Sequence, residues 1–566
     1  MTSQITRFTK TGGPLTKRIS LAADGSLDSD GSACLMTKGT AERVPVSGVS
    51  ELAKLIELPS NQAIALGAPR ADLPTKVKVV TERALNGQTR PDIIARTGAN
   101  IVYNEGPAFA LLDFDTKGMP PAVATRLKQL GGFWPALLTV LPALADVARV
   151  TRRSTSSGIY RADTGERLPG SDGVHVYPAV KDGTDIERFL KTLHARCWLN
   201  ELGWMMVSRS GALLERSIVD RMVYGPERLV FEGAPILKRP LKQDKESRRP
   251  VAVEGEVLDT VAACRELTVV EDSRLEELKA KERKRLAPEV AKIRPKFIAE
   301  QAERLVKRTG MSMQAAKQVI TRQCEGVLLP DMELPFDDKK LAGRTVADVL
   351  ANPDKFVNAT LADPLEGVEY GRCVAKILRR ESGELWIHSF AHGRTVYELK
   401  LDAASVRKAI EGAAKEEVVK VFTKLAVDAE IDPEELEELR RLAAERSGVG
   451  VRVINAALKA AREKHAEQQA KEKGAYQRAT RLDPRPRIRA PFPDAPWLPQ
   501  MDVLNEVLRA VPETKPPSRD VDGVMAQKRL RPVLDMHVFT EANEQEERKN
   551  HDQSADTRAM GSAPPQ

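Results

Sequence analysis

The 566-residue sequence contains only 4% aromatic residues, five cysteines and no long uninterrupted apolar run. The cysteines lie far apart and form no Cys-x-x-Cys pair, which disfavours a disulfide scaffold and a cysteine-rich zinc site. The most apolar window, 133–150, is interrupted by Pro135, Pro142 and Asp146, and it predicts buried helices rather than a membrane span. The first eight residues show no apolar core of a signal peptide. We therefore expect a cytoplasmic protein without a membrane partner.

Two catalytic motifs are also missing from the sequence. No Gly-x-x-x-x-Gly-Lys-Ser/Thr loop occurs, which excludes a P-loop helicase in this chain. No Gly-x-Ser-x-Gly elbow occurs either, which disfavours a hydrolase of that type. If the protein acts on duplex nucleic acid, we expect a separate helicase to act in trans.

What the sequence does contain is enough apolar material for a core and a slight excess of positive charge. Hydrophobic residues make up 42%, and 88 Lys and Arg against 80 Asp and Glu give a formal net charge of +8. A mildly basic chain is typical of proteins with a polyanionic partner. The densest basic cluster is Lys281–Arg285. It is either a nucleic-acid contact or an ordinary solvated helix face.

Changes in composition and in the spacing of apolar residues along the chain predict an α+β protein built from several modules. Short apolar runs bounded by Gly and Pro alternate with helical patterns in the first part, and the last part is Pro-rich and polar. The predicted modules are a mixed α+β domain at 1–240, a basic helical connector at 241–330, a small β-containing unit at 331–402, a helical module at 403–470 and a disordered tail at 471–566.

Three local signals sharpen this organisation. Pro288 and Pro295 are expected to break the helical stretch of the connector. A turn at Glu381–Gly383 predicts a hairpin in the β unit. Asp432 followed by Pro433 predicts the start of a helix, with Asp432 as its N-cap.

The sharpest chemical feature is the segment Phe109-Ala-Leu-Leu-Asp113-Phe-Asp115-Thr-Lys117-Gly118. An apolar run of this kind predicts a buried strand that ends in two aspartates at alternate positions. Alternation places both carboxylates on one face, about 7 Å apart along the backbone, with Phe114 on the other. Paired carboxylates at a strand end can hold two divalent cations for phosphoryl transfer. The alternative is an exposed Asp-rich turn.

Two further segments carry polar residues next to predicted strands. The small polar turn 154–158 precedes a short β-like run in which His175 and Tyr177 share a face. Farther on, apolar residues lead to a third acidic residue, Asp220. Taken alone, His175 can equally be a core histidine whose hydrogen bonds are satisfied within the fold. Asp220, taken alone, can equally form a salt bridge to a neighbouring arginine.

The order of these pieces resembles the archaeo-eukaryotic primase superfamily, and within it the primase-polymerases of plasmids, phages and integrative elements. The likeness covers roughly 55–240 and includes the segment Gly225–Glu232. It departs from the family in an insertion between the serine-rich turn and His175. The resemblance implies a divergent RNA-recognition-like sheet as the catalytic domain, with helical and small β modules after it.

The resemblance also implies the roles of individual residues. Asp113, Asp115 and Asp220 become catalytic residues that bind Mg²⁺ or Mn²⁺, and His175 becomes a contact to the triphosphate of the incoming nucleotide. We further predict Ser157 and Lys117 as nucleotide-binding residues.

The function that follows is that of a primase or DNA polymerase in the replication of a mobile element. Such a nucleotidyltransferase makes or extends primers on a single-stranded DNA template from nucleoside triphosphates. Two alternatives stay open: a DNA-binding replication protein without catalytic activity, and a two-metal nuclease, which needs the same carboxylates.

Overall fold

The computed structural model of the chain describes residues 2–480, apart from Asn86, Thr89, Lys117, Glu381 and the segments 169–172 and 391–395. The side chains of 469 and 472–480 are also outside the description. The chain divides into two compact units, 1–469 and 470–566, and the second is described only for its helical start, up to residue 480. The predicted tail therefore lies almost wholly outside the described residues. Within them, no helix combines the length and the apolar character needed to cross a membrane.

Strands occur throughout the first 400 residues. In chain order they are β1 (Ser3–Lys10), β2 (Arg18–Leu21), β3 (Leu27–Asp30), β4 (Lys38–Val46), β5 (Gln62–Ala65), β6 (Ala68–Pro69), β7 (Lys76–Val80), β8 (Ile93–Ala95), β9 (Ile101–Val102), β10 (Ala108–Phe109), β11 (Leu112–Phe114), β12 (Arg149–Arg153), β13 (Ile159–Arg161), β14 (Val174–Val180), β15 (Gly203–Val207), β16 (Leu213–Ser217), β17 (Ile236–Leu237), β18 (Leu241–Gln243), β19 (Val251–Val253), β20 (Val327–Leu328), β21 (Thr360–Leu361), β22 (Ala375–Arg379), β23 (Leu385–Ser389) and β24 (Val396–Leu399).

The two longest of the described helices come after residue 260. In chain order the helices are α1 (Val49–Leu55), α2 (Glu82–Leu85), α3 (Pro121–Gln129), α4 (Phe133–Val140), α5 (Ile186–Leu199), α6 (Thr260–Ala263), α7 (Val269–Thr309), α8 (Met313–Glu325), α9 (Val346–Ala351), α10 (Pro353–Phe356), α11 (Ala403–Gly412), α12 (Val418–Ala426), α13 (Pro433–Ser447) and α14 (Val451–Thr480). The predicted α+β class is confirmed.

Two five-stranded sheets organise the first 260 residues. One has the strand order β5-β1-β4-β7-β8, and the other has the order β10-β14-β12-β19, with β11 also paired to β14. A large apolar core connects them, because it combines Ile5 of the first sheet with Leu112 and Val176 of the second and Phe189 of α5. The central strand of the second sheet, β14, thus contributes Val176 to the core and carries the predicted site residue His175.

The aspartate pair lies at the end of two short strands rather than of the single strand that the sequence predicts, with Asp113 inside β11 and Asp115 just after it. β10 and β11 are separated by Ala110 and Leu111, and both pair antiparallel with β14. In this register Asp113 lies opposite His175. Phe114 is buried and stacks on Phe133, with ring centroids 4.5 Å apart. The predicted separation of faces, carboxylate on one side and phenyl ring on the other, therefore holds locally.

The predicted break in the connector is wrong, because α7 runs as one helix through Pro288 and Pro295. The two prolines are seven residues apart, so they lie on the same face of the helix, and both are exposed. The carbonyl groups that lose a hydrogen bond belong to Lys284 and Ala291, four residues earlier, and these residues are exposed as well. Water can satisfy them, which removes much of the cost of a proline inside a helix.

The later part of the chain confirms the two other local signals. β22 and β23 form the predicted antiparallel hairpin within a sheet of order β20-β24-β23-β22-β21. α13 begins at Pro433 with Asp432 as N-cap, and Glu435 Oε2 accepts a hydrogen bond of 3.2 Å from the Asp432 N–H. The boundaries of the five predicted modules stay a prediction.

Candidate active site: an acidic cleft and a buried glutamate network

Asp220 reaches the aspartate pair through the backbone. Ile218 and Val219 are fully buried and fix the segment after β16 in the core. The next residue, Asp220, donates its backbone N–H to the carbonyl oxygen of Asp113, at 3.1 Å. Its side chain accepts a hydrogen bond of 2.8 Å from the N–H of Met222. Residues far apart in sequence therefore meet where β11 ends.

The three predicted metal ligands line one cleft. Burial raises the pKa of Asp113, and the neighbouring carboxylates of Asp220 and Asp115 raise it further, against the opposite effect of His175. A raised carboxyl pKa means that the folded site favours the protonated, neutral form of that carboxyl group more than water does. The residues that line the cleft are Asp113, Asp115, His194, Trp204, Glu215, Arg216, Ser217, Val219, Asp220 and Arg221.

The donor set of this cleft fits a hard divalent cation. Mg²⁺ and Mn²⁺ prefer oxygen ligands, and Mg²⁺ in particular is commonly held by one or two carboxylates together with substrate phosphates. Asp113, Asp115 and Asp220 supply carboxylate oxygens to the lining of one cleft.

His175 connects the cleft with the protein interior. Its Nε2 lies 3.6 Å from Asp113 Oδ1, and its Nδ1 lies 2.5 Å from Glu232 Oε1. Burial by itself would lower the pKa of His175, but the Glu232 and Asp113 carboxylates outweigh it and raise this pKa. The two carboxylates therefore favour the protonated form of the ring, which borders the cleft without lining it.

Glu232 is the centre of a buried charged network behind the cleft. The Tyr177 hydroxyl donates to its Oε1 at 2.5 Å, and Arg152 and Arg248 lie 3.3 Å and 3.9 Å from its Oε2. Glu232 is fully buried, and both arginines are less than a tenth exposed. Burial would raise the pKa of Glu232, but His175, Arg152 and the hydrogen bonds lower it below the usual range. The network holds the His175 ring in one orientation.

The predicted nucleotide contact Ser157 is engaged within the fold. Ser157 is buried, and its hydroxyl donates to the carbonyl oxygen of Gly173 at 3.1 Å and lies 3.0 Å from Ser154 Oγ. A side chain at Gly173 would clash here, since a Cβ would lie 2.9 Å from Ser154 Oγ. The serine-rich turn thus secures the start of β14. Lys117, the other predicted contact, lies outside the described residues.

The structure adds two cleft residues that the sequence did not single out. His194 on α5 is 3% exposed, and burial lowers its pKa to about 3, so its ring is neutral. Glu215 on β16 forms ion pairs with Arg221 at 3.2 Å and with Lys279 of α7 at 3.4 Å. Only an apolar helix pattern and a strand pattern mark these positions in the sequence, and neither reveals that they face the aspartates.

The long helix α7 brings part of the basic cluster to this cleft. Arg283 lies 3.9 Å from Glu215, and Arg285 is paired with Glu282 at 2.8 Å. Lys281 and Lys284 are exposed. The cluster is therefore divided between ion-paired arginines and solvent-facing lysines.

A second group of acidic and histidine side chains lies in the later modules. His465 faces Glu384 with Nδ1, at 3.6 Å, and Asp428 with Nε2, at 3.8 Å. Lys400 Nζ contacts Asp428 and lies 3.3 Å from Glu398. A single metal ion can bond only one nitrogen of an imidazole ring, and a lysine cation already offsets the carboxylates. These contacts form a cluster of ion pairs between α14 and the β unit, which we call the ion-paired tie.

Two comparisons of the sequence with known proteins find no match. No protein-family model matches the sequence, and a search of curated proteins finds no match either. Any function must therefore be inferred from the geometry and chemistry of the acidic cleft.

Proposed function

We propose that the chain is a metal-dependent nucleotidyltransferase of the primase-polymerase type, acting on a single-stranded DNA template in the replication of a mobile element. The observation that carries this proposal is the meeting of Asp113, Asp115 and Asp220 at one cleft, with His175 beside Asp113. The order of these residues in the sequence, which resembles the primase superfamily, supports it further. The divergent RNA-recognition-like character of the catalytic domain and the separate helicase are part of the same proposal.

In this proposal the chain's own residues bind and orient. The three aspartates hold Mg²⁺ or Mn²⁺, which when bound neutralises the triphosphate and the charge that develops on the attacking and leaving oxygens. His175, whose protonated form the two carboxylates favour, lies at the edge of the cleft next to Asp113, where the protonated ring attracts phosphate oxygens. Glu232 fixes the ring through Nδ1, which leaves Nε2–H for the cleft side.

The reaction is a simple displacement. The oxygen of a 3′-hydroxyl bonds to the α-phosphorus, the bond from that phosphorus to the bridging oxygen breaks, and pyrophosphate leaves while the hydroxyl proton passes to solvent. Positioning and electrostatic stabilisation supply most of the catalysis in such transfers.

The test is incorporation of labelled nucleotides on single-stranded DNA with Mg²⁺ or Mn²⁺. We expect Asp113→Asn and Asp115→Asn each to reduce incorporation at least about a hundredfold, since loss of a group that only orients a metal ligand already costs about 10- to 100-fold. Asp428→Asn, in the ion-paired tie, is the matched control and should stay within about twofold of the parent chain. Added Mn²⁺ should stabilise the parent chain and the control against heat, and should not stabilise Asp113→Asn.

Three outcomes contradict the proposal in different ways. Full activity of Asp113→Asn would show that the cleft takes no part in the reaction. Degradation of labelled strands without triphosphates identifies a two-metal nuclease. Template binding without any metal-dependent incorporation identifies a DNA-binding replication protein.

A further inference from the structure

His194 contributes a buried ring to the wall of the acidic cleft. It lies on α5, is 3% exposed and lines the cleft together with Asp113 and Asp220. The fold holds the ring by one nitrogen, Nδ1, which contacts Ser217 and Val219. Whether the other nitrogen, Nε2, donates or accepts a hydrogen bond depends on whether Nδ1 carries a proton.

The hydrogen bonds around Ser217 assign the tautomer of His194. Ser217 Oγ donates to the carbonyl oxygen of Val219 at 2.9 Å and accepts from the Val219 N–H at 3.1 Å. His194 Nδ1 lies 2.9 Å from Ser217 Oγ and 3.3 Å from the same carbonyl oxygen. Since the hydroxyl proton is already used and a carbonyl only accepts, Nδ1 carries a proton and donates it. Nε2 of the neutral ring therefore has a lone pair and accepts.

This Nε2 has no hydrogen-bond partner among the described residues, although the atom is buried. Buried polar atoms in native proteins are almost always paired. Asp113, Asp115 and Asp220 are themselves acceptors when ionised, so they offer no proton to a second acceptor. An acceptor in the wall of an acidic cleft without a donor from its own chain indicates that a ligand supplies the donor.

We propose that His194 Nε2 accepts a hydrogen bond from an O–H group of the ligand in the cleft, an inference that rests on the proposed function. Phosphate oxygens of a nucleoside triphosphate only accept hydrogen bonds. The O–H donors that such a ligand brings close to three carboxylates are the sugar hydroxyls and the water molecules on its divalent cation. His194 is thus a ligand-contact residue that recognises a hydroxyl or a cation-bound water.

Two substitutions separate this role from plain packing. His194→Asn keeps an amide N–H near the position of Nδ1, where it can still bond Ser217, and has no atom at Nε2. His194→Gln places an amide oxygen near the position of Nε2 and restores an acceptor. His388→Asn is the matched control, since His388 of β23 packs between Trp386 and Phe390 and does not line the cleft.

Binding is measured by calorimetric titration with Mn²⁺ alone and with Mg²⁺ plus a ribonucleoside, 2′-deoxy- or 2′,3′-dideoxynucleoside triphosphate. We expect His194→Asn to weaken triphosphate binding about five- to tenfold, as for one neutral hydrogen bond. His194→Gln and His388→Asn should stay within about twofold of the parent chain. An equal loss for Mn²⁺ alone assigns the donor to cation-bound water. A loss that disappears with the dideoxynucleotide assigns it to a sugar hydroxyl.

A second measurement needs no variant and so does not depend on how well His194→Asn folds. In the parent chain labelled with ¹⁵N-histidine, the Nε2 resonance of His194 should have the position of an unprotonated nitrogen and shift when Mg²⁺ and a triphosphate are added. A parent chain that binds these ligands with no change at Nε2, or a folded His194→Asn with unchanged affinity, overturns the assignment of His194 alone. A parent chain that binds neither cation nor triphosphate overturns the proposed function as well.

Discussion

The two charged groups that share His175 differ in how their charge is compensated. Glu232, behind the ring, is fully buried and is met by Arg152, Arg248 and the Tyr177 hydroxyl, and its pKa is lowered. Asp113, in front of the ring, borders two further carboxylates, and its pKa is raised. The same histidine thus lies between an acid whose ionised form the fold favours, Glu232, and an acid whose ionised form the fold disfavours, Asp113.

This difference indicates that Glu232 stabilises the fold, and under the proposed function Asp113 is the acid that binds a cation. A buried carboxylate with two arginines and a histidine fixes one arrangement of β12, β14 and the segment around Arg248. Several carboxylates at one open edge cost stability in the absence of a cation and gain it when a cation binds. We therefore expect substitutions in the two groups to have effects of opposite sign on the stability of the metal-free chain.

The largest effect is expected from Glu232→Gln. It leaves Arg152, Arg248 and His175 buried without their common counter-charge, and breaking a buried ion pair in this way costs about 3–5 kcal/mol. Asp113→Asn, on the other face of the same histidine, should leave the metal-free chain as stable as the parent or more stable. Urea unfolding of the three chains measures both changes. A loss below about 1 kcal/mol in Glu232→Gln would show that the network is not structural.

The features that could be predicted from the sequence are those that depend on neighbours in the chain. Alternation along β14 places His175 and Tyr177 on one face, and both side chains indeed bond Glu232. The same rule places Asp113 and Phe114 on opposite faces. The cap at Asp432 follows equally from a few adjacent residues. In each case the local pattern contains the information that the structure uses.

What could not be predicted depends on partners far away in the chain. Arg152 and Arg248 look like surface charges in the sequence, and only the pairing of β12, β14 and β19 brings them to Glu232. The orientation of His194 depends on Ser217, which lies on another element. The continuity of α7 depends on which face of the helix is solvated, and the presence of proline alone does not reveal that.

A smaller effect is expected in the pH dependence of stability. The raised pKa of His175 means that its contribution is complete below the unfolded value near 6.5 and is lost as pH rises through the folded value. The lowered pKa of Glu232 means that its contribution is present above about 4.5 and is lost as pH falls through the folded value. The network therefore stabilises most between these limits.

His175→Gln tests this, because glutamine can still donate to Glu232 but does not titrate. Urea unfolding from pH 4 to 9 should show the parent's advantage over His175→Gln to be largest near pH 5–6.5 and to shrink as pH rises. A stability difference that grows toward alkaline pH would mean that His175 is neutral in the folded chain. The contrast between Glu232 and Asp113 would then not hold.

The smallest effect is expected from substitutions in the basic cluster Lys281–Arg285 on α7. In this cluster some charges form ion pairs within the chain and others face solvent. Arg285 is paired with Glu282, whereas Lys281 and Lys284 are exposed. If the lysines contact template phosphates, each contact contributes about 0.7 to the slope of log affinity against log salt for single strands. Lys281→Gln combined with Lys284→Gln should lower that slope by about 1.4, and Arg285→Gln, the matched control, should change it much less. The slope is read from single-stranded DNA binding at several salt concentrations. Equal slopes in the parent chain and the double variant would assign the lysines to a solvated helix face, and template would then have to reach the acidic cleft by another surface.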